Sequence, residues 1–214
     1  MIKISNKVTY KTVLKHSETL LIEKKSKFIS NVMPVKSEEE ALEFLQEIKK
    51  KYSDATHNVY AYIIDENNIF RYSDDGEPGG TAGMPVLDTI RKEGLGDVIV
   101  VVTRYFGGTL LGTGGLVHAY GASAKQGLVE SEIVTKTLCN IVDFKVDYTL
   151  VGKVQYMIST NNYILEDTIY DNEVTFRICS KIEKTEKLIA DMIDLTNGRV
   201  IYEISDEPKY IDVK

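Results

Sequence analysis

Residues 104–121 read RYFGGTLLGTGGLVHAYG and hold six glycines, and a second run upstream, SDDGEPGGTAGMP at 73–85, holds four more. Glycine loses more conformational freedom on folding than any other residue. Its concentration therefore marks places where the chain must turn left-handed or let another backbone or a ligand come close. Of the 15 glycines, 13 fall between Gly76 and Gly127, whereas residues 137–214 contain only Gly152 and Gly198. Composition thus divides the chain into a glycine-bearing domain at 1–136 and a glycine-poor one at 137–214, and 214 residues suffice for both.

In the first segment, alternating patterns predict strands near 8–14, 18–24 and 27–35. Ser37, with Glu40 three residues on, reads as a capping box opening a helix whose apolar face is Ala41, Leu42, Leu45 and Ile48. HNVYAYIID and NIFRYS read as two strands joined by a turn at Glu66, Asn67 and Asn68. GDVIVVVTRY is a nearly continuous apolar run, as expected of a central strand covered on both faces. It leads through the glycines into a helix starting near Thr113. The second segment reads as strand TLCNIVDFKV, helix YTLVGKVQYMIST, strands YILEDTIY and EVTFRICSK, helix EKTEKLIADMIDLTNG ended by Gly198, and strand RVIYEI. That βαββαβ order predicts a ferredoxin-like unit with both helices on one sheet face, reading as a docking or dimerising module.

The glycine loop lacks the defining residues of the nucleotide-binding motifs. Gly107 and Gly112 have P-loop spacing, but Thr113 and Gly114 stand where Lys and Ser or Thr belong. Gly112 and Gly114 begin a dinucleotide fingerprint that meets Val117 in place of its third glycine, and GASAK around Ser123 lacks the second glycine of a nucleophile elbow. What remains is a strand, a loop without side chains and a helix start, where free backbone N–H groups gather into an anion-binding concavity. Gly107, Gly108, Gly112, Gly114 and Gly115 are its candidate lining, with Arg104 and Tyr105 at its entrance and His118 and Lys125 one helix face away. The alternative is structural, with Gly115, Ala119, Ala122 and Gly127 forming a small-residue surface for helix–sheet packing.

Asp74, Asp75 and Glu77 are candidates to hold a hard divalent cation or to pair with Arg104, although Asp-Gly and Glu-Pro are equally good turn formers. No metal and no cofactor is assigned. Thr81 is read as the cap of a helix carrying Pro85 in its first turn and Ile90 on its buried face. His57 is a candidate acid–base group.

Net charge is −6, with 17 Lys+Arg against 18 Asp+Glu in residues 1–136 and 9 against 14 in 137–214. That balance argues against a protein that coats duplex DNA indiscriminately. Two local basic clusters stand out, Lys24, Lys25 and Lys27 at a strand edge and Lys49, Lys50 and Lys51 at a helix end. The chain has no apolar run long enough to span a membrane and no apolar core of a secretory signal at MIKISNKVTYK. Cys139 and Cys179 are expected to be buried and reduced, and the protein cytoplasmic.

The two glycine runs in this order, with KKSKFIS and THNVYAY upstream, resemble the IMPACT family of the bacterial YigZ type. His118 stands where many relatives are expected to carry Arg or Lys. The resemblance implies an α+β chain in which a domain similar to the second domain of ribosomal protein S-five precedes a ferredoxin-like domain. Both folds resemble terminal domains of elongation factor G. Eukaryotic members of the family are associated with translational control, through competition for activation of the starvation-responsive initiation-factor kinase. The expected function is binding to RNA, the ribosome or a translation-related protein, with Tyr105 and Phe106 as candidate base-stacking residues. A small enzyme acting on a phosphorylated or nucleotide ligand and a protein-interaction adaptor are the alternatives.

Overall fold

The computed structural model describes residues 8–65 and 68–213, so Glu66 and Asn67 of the expected turn lie outside the described residues. Among these the chain is a mixed α+β protein with two sheets and five α-helices. It divides into two compact units, one ending at Thr135 and the other spanning Lys136–Val213.

The first unit runs β1 (Thr9–Val13), β2 (Ser17–Glu23), β3 (Ser26–Pro34), α1 (Glu38–Lys51), β4 (His57–Ile64), β5 (Ile69–Ser73), α2 (Gly83–Lys92), β6 (Val98–Tyr105) and α3 (Gly112–Glu130). Its sheet has the order β2-β3-β6-β4-β5, with every neighbouring pair antiparallel. β6 lies in the middle, and its side chains divide by parity. Val98, Val100 and Val102 enter one core with α2 and α3, while Ile99 and Val101 enter another with α1. The continuous apolar run therefore reflects two covered faces rather than parallel pairing.

α1 is capped as expected by Ser37, whose Oγ accepts the Glu40 N–H at 3.1 Å, whereas the Glu40 carboxylate reaches one residue further back than a capping box requires and accepts the Lys36 N–H at 2.7 Å. Its buried face is Ala41, Phe44, Leu45 and Ile48. Leu42 is 43% exposed. It sits about 100° around the helix from Ala41, and Phe44 completes the i, i+3, i+4, i+7 stripe instead. α3 packs on β3 through Gly127, where an added Cβ would lie 2.5 Å from Ser30 Oγ and 2.8 Å from Val32 Cγ2. Ala119 is also buried in that surface, whereas Gly115 and Ala122 are half-buried.

The second unit contains β7 (Ile133–Val146, begun in the first unit), α4 (Val151–Thr160), β8 (Ile164–Tyr170), β9 (Val174–Lys181), α5 (Thr185–Leu195), β10 (Ile201–Ile204) and β11 (Lys209–Val213). The path β10-β7-β9-β8 is antiparallel throughout, and β11 also pairs with β7. Val142, Phe144, Val174, Phe176 and Ile178 from the strands close a core with Leu150, Val154 and Met157 before and in α4 and Leu188 and Met192 of α5. Cys139 and Cys179 are buried free thiols beside Ile141 and Ile211. Burial raises both thiol pKa values, that of Cys179 to about 11. No helix among the described residues is long and apolar enough to cross a membrane.

Candidate functional site

The acidic run at 74–77 places its three carboxylates in different surroundings. Asp74 accepts the backbone N–H groups of Gly80 at 2.9 Å, Ala82 at 3.0 Å and Gly83 at 2.8 Å. It therefore satisfies the start of α2, the role expected of Thr81. Thr81 is buried and donates instead to the Pro78 carbonyl at 2.7 Å, and the residue at the cap itself, Ala82, has no side chain able to accept. Asp75, at φ 45°, accepts the Asn58 N–H at 2.6 Å and faces Lys49 Nζ at 3.5 Å. No group of three or more His, Cys, Asp or Glu among the described residues is arranged to hold a metal ion.

Glu77 is 8% exposed and turns inward. Its Oε1 accepts from Arg104 Nη1 at 2.6 Å and from the Tyr120 hydroxyl at 2.7 Å, with His57 Nε2 at 3.8 Å. Arg104 is 5% exposed, beneath the glycine loop rather than at its mouth. Strand parity explains this, because Arg104 shares its side of β6 with Val98, Val100 and Val102. Sheet register then aligns Phe28, Arg104 and His57 on β3, β6 and β4. The guanidinium lies 5.4 Å from the Phe28 ring centre and 5.5 Å from that of Phe106, and its Nε has no hydrogen-bond partner. His57 Nδ1 lies 2.8 Å from the Asp75 carbonyl oxygen. Burial, and then the bond to Glu77, push the Tyr120 pKa far above the ordinary phenol range. Nothing in the sequence singled Tyr120 out, although it lies on the buried stripe of α3 with Leu116, Ala124 and Gly127.

The loop itself is seated on the β2–β3 hairpin. An added Cβ at Gly107 would lie 2.1 Å from the Lys25 carbonyl carbon, and the Gly107 N–H donates to Ser26 Oγ at 3.1 Å. Glu23 pairs with Ser26, leaving Lys24 and Lys25 as a two-residue turn with φ of 44° and 69°. Both values fall in the left-handed region that such turns normally fill with Asn and Gly. Lys24, Lys25 and Lys27 are all exposed. An added Cβ at Gly108, Gly112 or Gly114 would meet no other part of the chain within 4 Å. Phe106 is 48% exposed, whereas Tyr105 is half-buried and donates its hydroxyl to Asp54 at 2.7 Å. An added Cβ at Gly115 would lie 3.0 Å from that of Leu111, the residue preceding α3. His118 and Lys125 are exposed on α3, and Lys125 pairs with Glu93 at 2.6 Å.

These elements define a two-unit α+β protein whose first unit closes a buried Glu–Arg–Tyr cluster under an exposed glycine loop and a lysine hairpin. The model of the Impact N-terminal domain matches residues 24–128, and that of a domain of unknown function, DUF1949, matches residues 144–199. The chain is similar to IMPACT family member YvyE of Bacillus subtilis, 41% identical over 192 residues, 89% of this chain and 88% of the relative. It is similar also to IMPACT family member YigZ of Escherichia coli, 32% identical over 82% of this chain and 87% of the relative. The Protein IMPACT homolog of Dictyostelium discoideum is 44% identical over 101 residues, 45% of this chain and 29% of that protein. A solved structure described as the crystal structure of a hypothetical protein aligns with TM-score 0.59 and 28% identity, covering 94% of this chain and 100% of its own. The chain belongs to the IMPACT family.

Proposed function

We propose that this chain is a non-enzymatic RNA- or ribosome-binding protein acting in translational regulation, and that the lysine hairpin and the glycine loop together form its phosphate-binding surface. The observation that carries the reading is the seating of Gly107 on the Lys25–Ser26 backbone, which joins the two features into one surface. The positive φ values at Lys24 and Lys25 support it further. A non-glycine residue in that region carries a backbone penalty of roughly 1–2 kcal/mol, and exposed charge held there at such a cost fits a binding role. The lysines supply charge, and Gly108, Gly112 and Gly114 let a phosphate approach backbone N–H groups without meeting a β-carbon. Arg104 serves this surface from below, holding Phe106 and Glu77 in place while its own charge is met.

The non-enzymatic reading is supported by the engagement of all three carboxylates in internal bonds, Asp74 and Asp75 to backbone N–H groups and Glu77 to Arg104 and Tyr120. The strand orders β2-β3-β6-β4-β5 and β10-β7-β9-β8 support folds similar to the S-five second domain and the ferredoxin-like domain, and the link to the translation machinery is an analogy of fold. The test is binding of the purified chain to total RNA and to purified ribosomes across a salt series. Two lysine–phosphate contacts, from Lys24 and Lys25, on a single strand predict a log–log slope of about −1.4, since Lys27 pairs with Tyr105 and faces the other side of the sheet. Absence of binding to both at low salt would overturn the reading in favour of a protein-interaction adaptor.

A further inference from the structure

We infer that the RNA taken by this surface is single-stranded and that Phe106 stacks on one of its bases. The inference rests on the RNA reading above and adds the substrate class to it. Phe106 is a held aromatic rather than a loose one. Its backbone N–H donates to Thr56 Oγ1 at 3.3 Å, and the next residue, Gly107, is fixed against the hairpin. The Arg104 guanidinium lies over its ring, and Arg104 is anchored in turn by Glu77 and by the ring of Phe28, which meets Tyr120 edge-on at 5.1 Å between centroids. With a buried cation on one side and 48% of the residue still exposed, Phe106 offers a fixed π surface.

Its surroundings suit one kind of occupant. The hairpin lysines border the loop that follows Phe106, and Gly108 leaves open space where a side chain would otherwise crowd an approaching backbone. Charge for phosphates beside a flat apolar surface for a base is the combination that binds single strands. Bases inside a duplex are stacked on their neighbours and present no free face to a side chain. Of the two candidate aromatics, Tyr105 is turned away by strand alternation and tied to Asp54, which leaves Phe106 for the role.

The sequence contains no tryptophan, so Phe106→Trp introduces a single tryptophan at this position, excited selectively over the 13 tyrosines. Single-stranded RNA of about twelve nucleotides, within the usual site size, is titrated against that variant and compared with a duplex of equal length at low salt. Quenching by the single strand, with weaker binding of the duplex, is the expected result. Phe106→Ala should lower single-strand affinity about 5- to 150-fold and leave duplex affinity unchanged, with Phe106→Leu as a control for folding. Equal binding of both RNAs without quenching, or an unchanged affinity in Phe106→Ala, would overturn the stacking role while leaving phosphate binding intact. Binding of neither RNA by the wild-type chain would overturn stacking and the RNA reading together.

Discussion

Arg104 Nη1 lies 2.6 Å from Glu77 Oε1, and that carboxylate oxygen also accepts the Tyr120 hydroxyl, so one buried acceptor ties the central strand to the acidic loop and to α3. Removing either charged partner leaves the other buried and unmatched. Arg104→Ala and Glu77→Ala should each destabilise the chain by about 3–5 kcal/mol. Replacing both by apolar residues of similar volume should cost less than the sum of the two. Urea unfolding of the three variants measures this, and additive losses would show that the pair is not coupled.

Asp74 receives three backbone N–H groups at the entry to α2, and Thr81 makes one hydroxyl bond. Asp74→Ala should therefore lower stability by about 1–2 kcal/mol, more than Thr81→Ala does. The comparison is made by urea midpoints. The reverse order would return the capping role to Thr81.

The glycines of α3 separate into packing and open positions. Gly127→Ala forces a methyl into Ser30 and Val32 and should cost about 1–3 kcal/mol. Gly114 meets nothing within 4 Å, so Gly114→Ala should raise stability, by up to about 1 kcal/mol, while crowding the loop and weakening RNA binding. Thermal unfolding beside RNA titration distinguishes the two positions.

The Cys179 thiol is pushed up to about 11 from an ordinary 9.0, chiefly by burial. Its neutral form is favoured in the folded chain, so the unfolded chain releases the proton first as pH rises. The contribution to stability is complete below pH 9 and is lost progressively between about pH 9 and 11. Cys179→Ala should flatten the fall of stability across that window, as read by urea midpoints at a series of pH values. An equally steep fall in the variant would assign it to other groups.

Much of the fold was legible because its signals are local. The apolar run of β6, the Ser37–Glu40 cap and the helix after the glycines each follow from a few neighbouring residues. The direction of Arg104 was not, because both faces of β6 are covered and a uniformly apolar run carries no parity mark. The partnership of Glu77 with Tyr120 spans 43 residues and depends on where α3 packs. Asp74 reaches the start of α2 across a loop, where Thr81 offered the nearer and more familiar pattern. The Lys24–Lys25 turn lacks the Asn-Gly mark of a tight hairpin, so these residues read as a solvated charge cluster. KYIDV, which forms β11, follows the turn residues SDEP, a strand signal that the expected βαββαβ order leaves unused.

Lys24→Asn with Lys25→Gly separates the backbone strain of the hairpin from its charge, because it relieves the one while removing two lysines. Urea unfolding and RNA binding are measured on the same preparation across a salt series. A phosphate-binding role for the hairpin predicts a more stable protein that binds RNA more weakly, with a log–log salt slope shallower by about 1.4 for two lost contacts. Unchanged affinity and unchanged slope in a folded variant would contradict it.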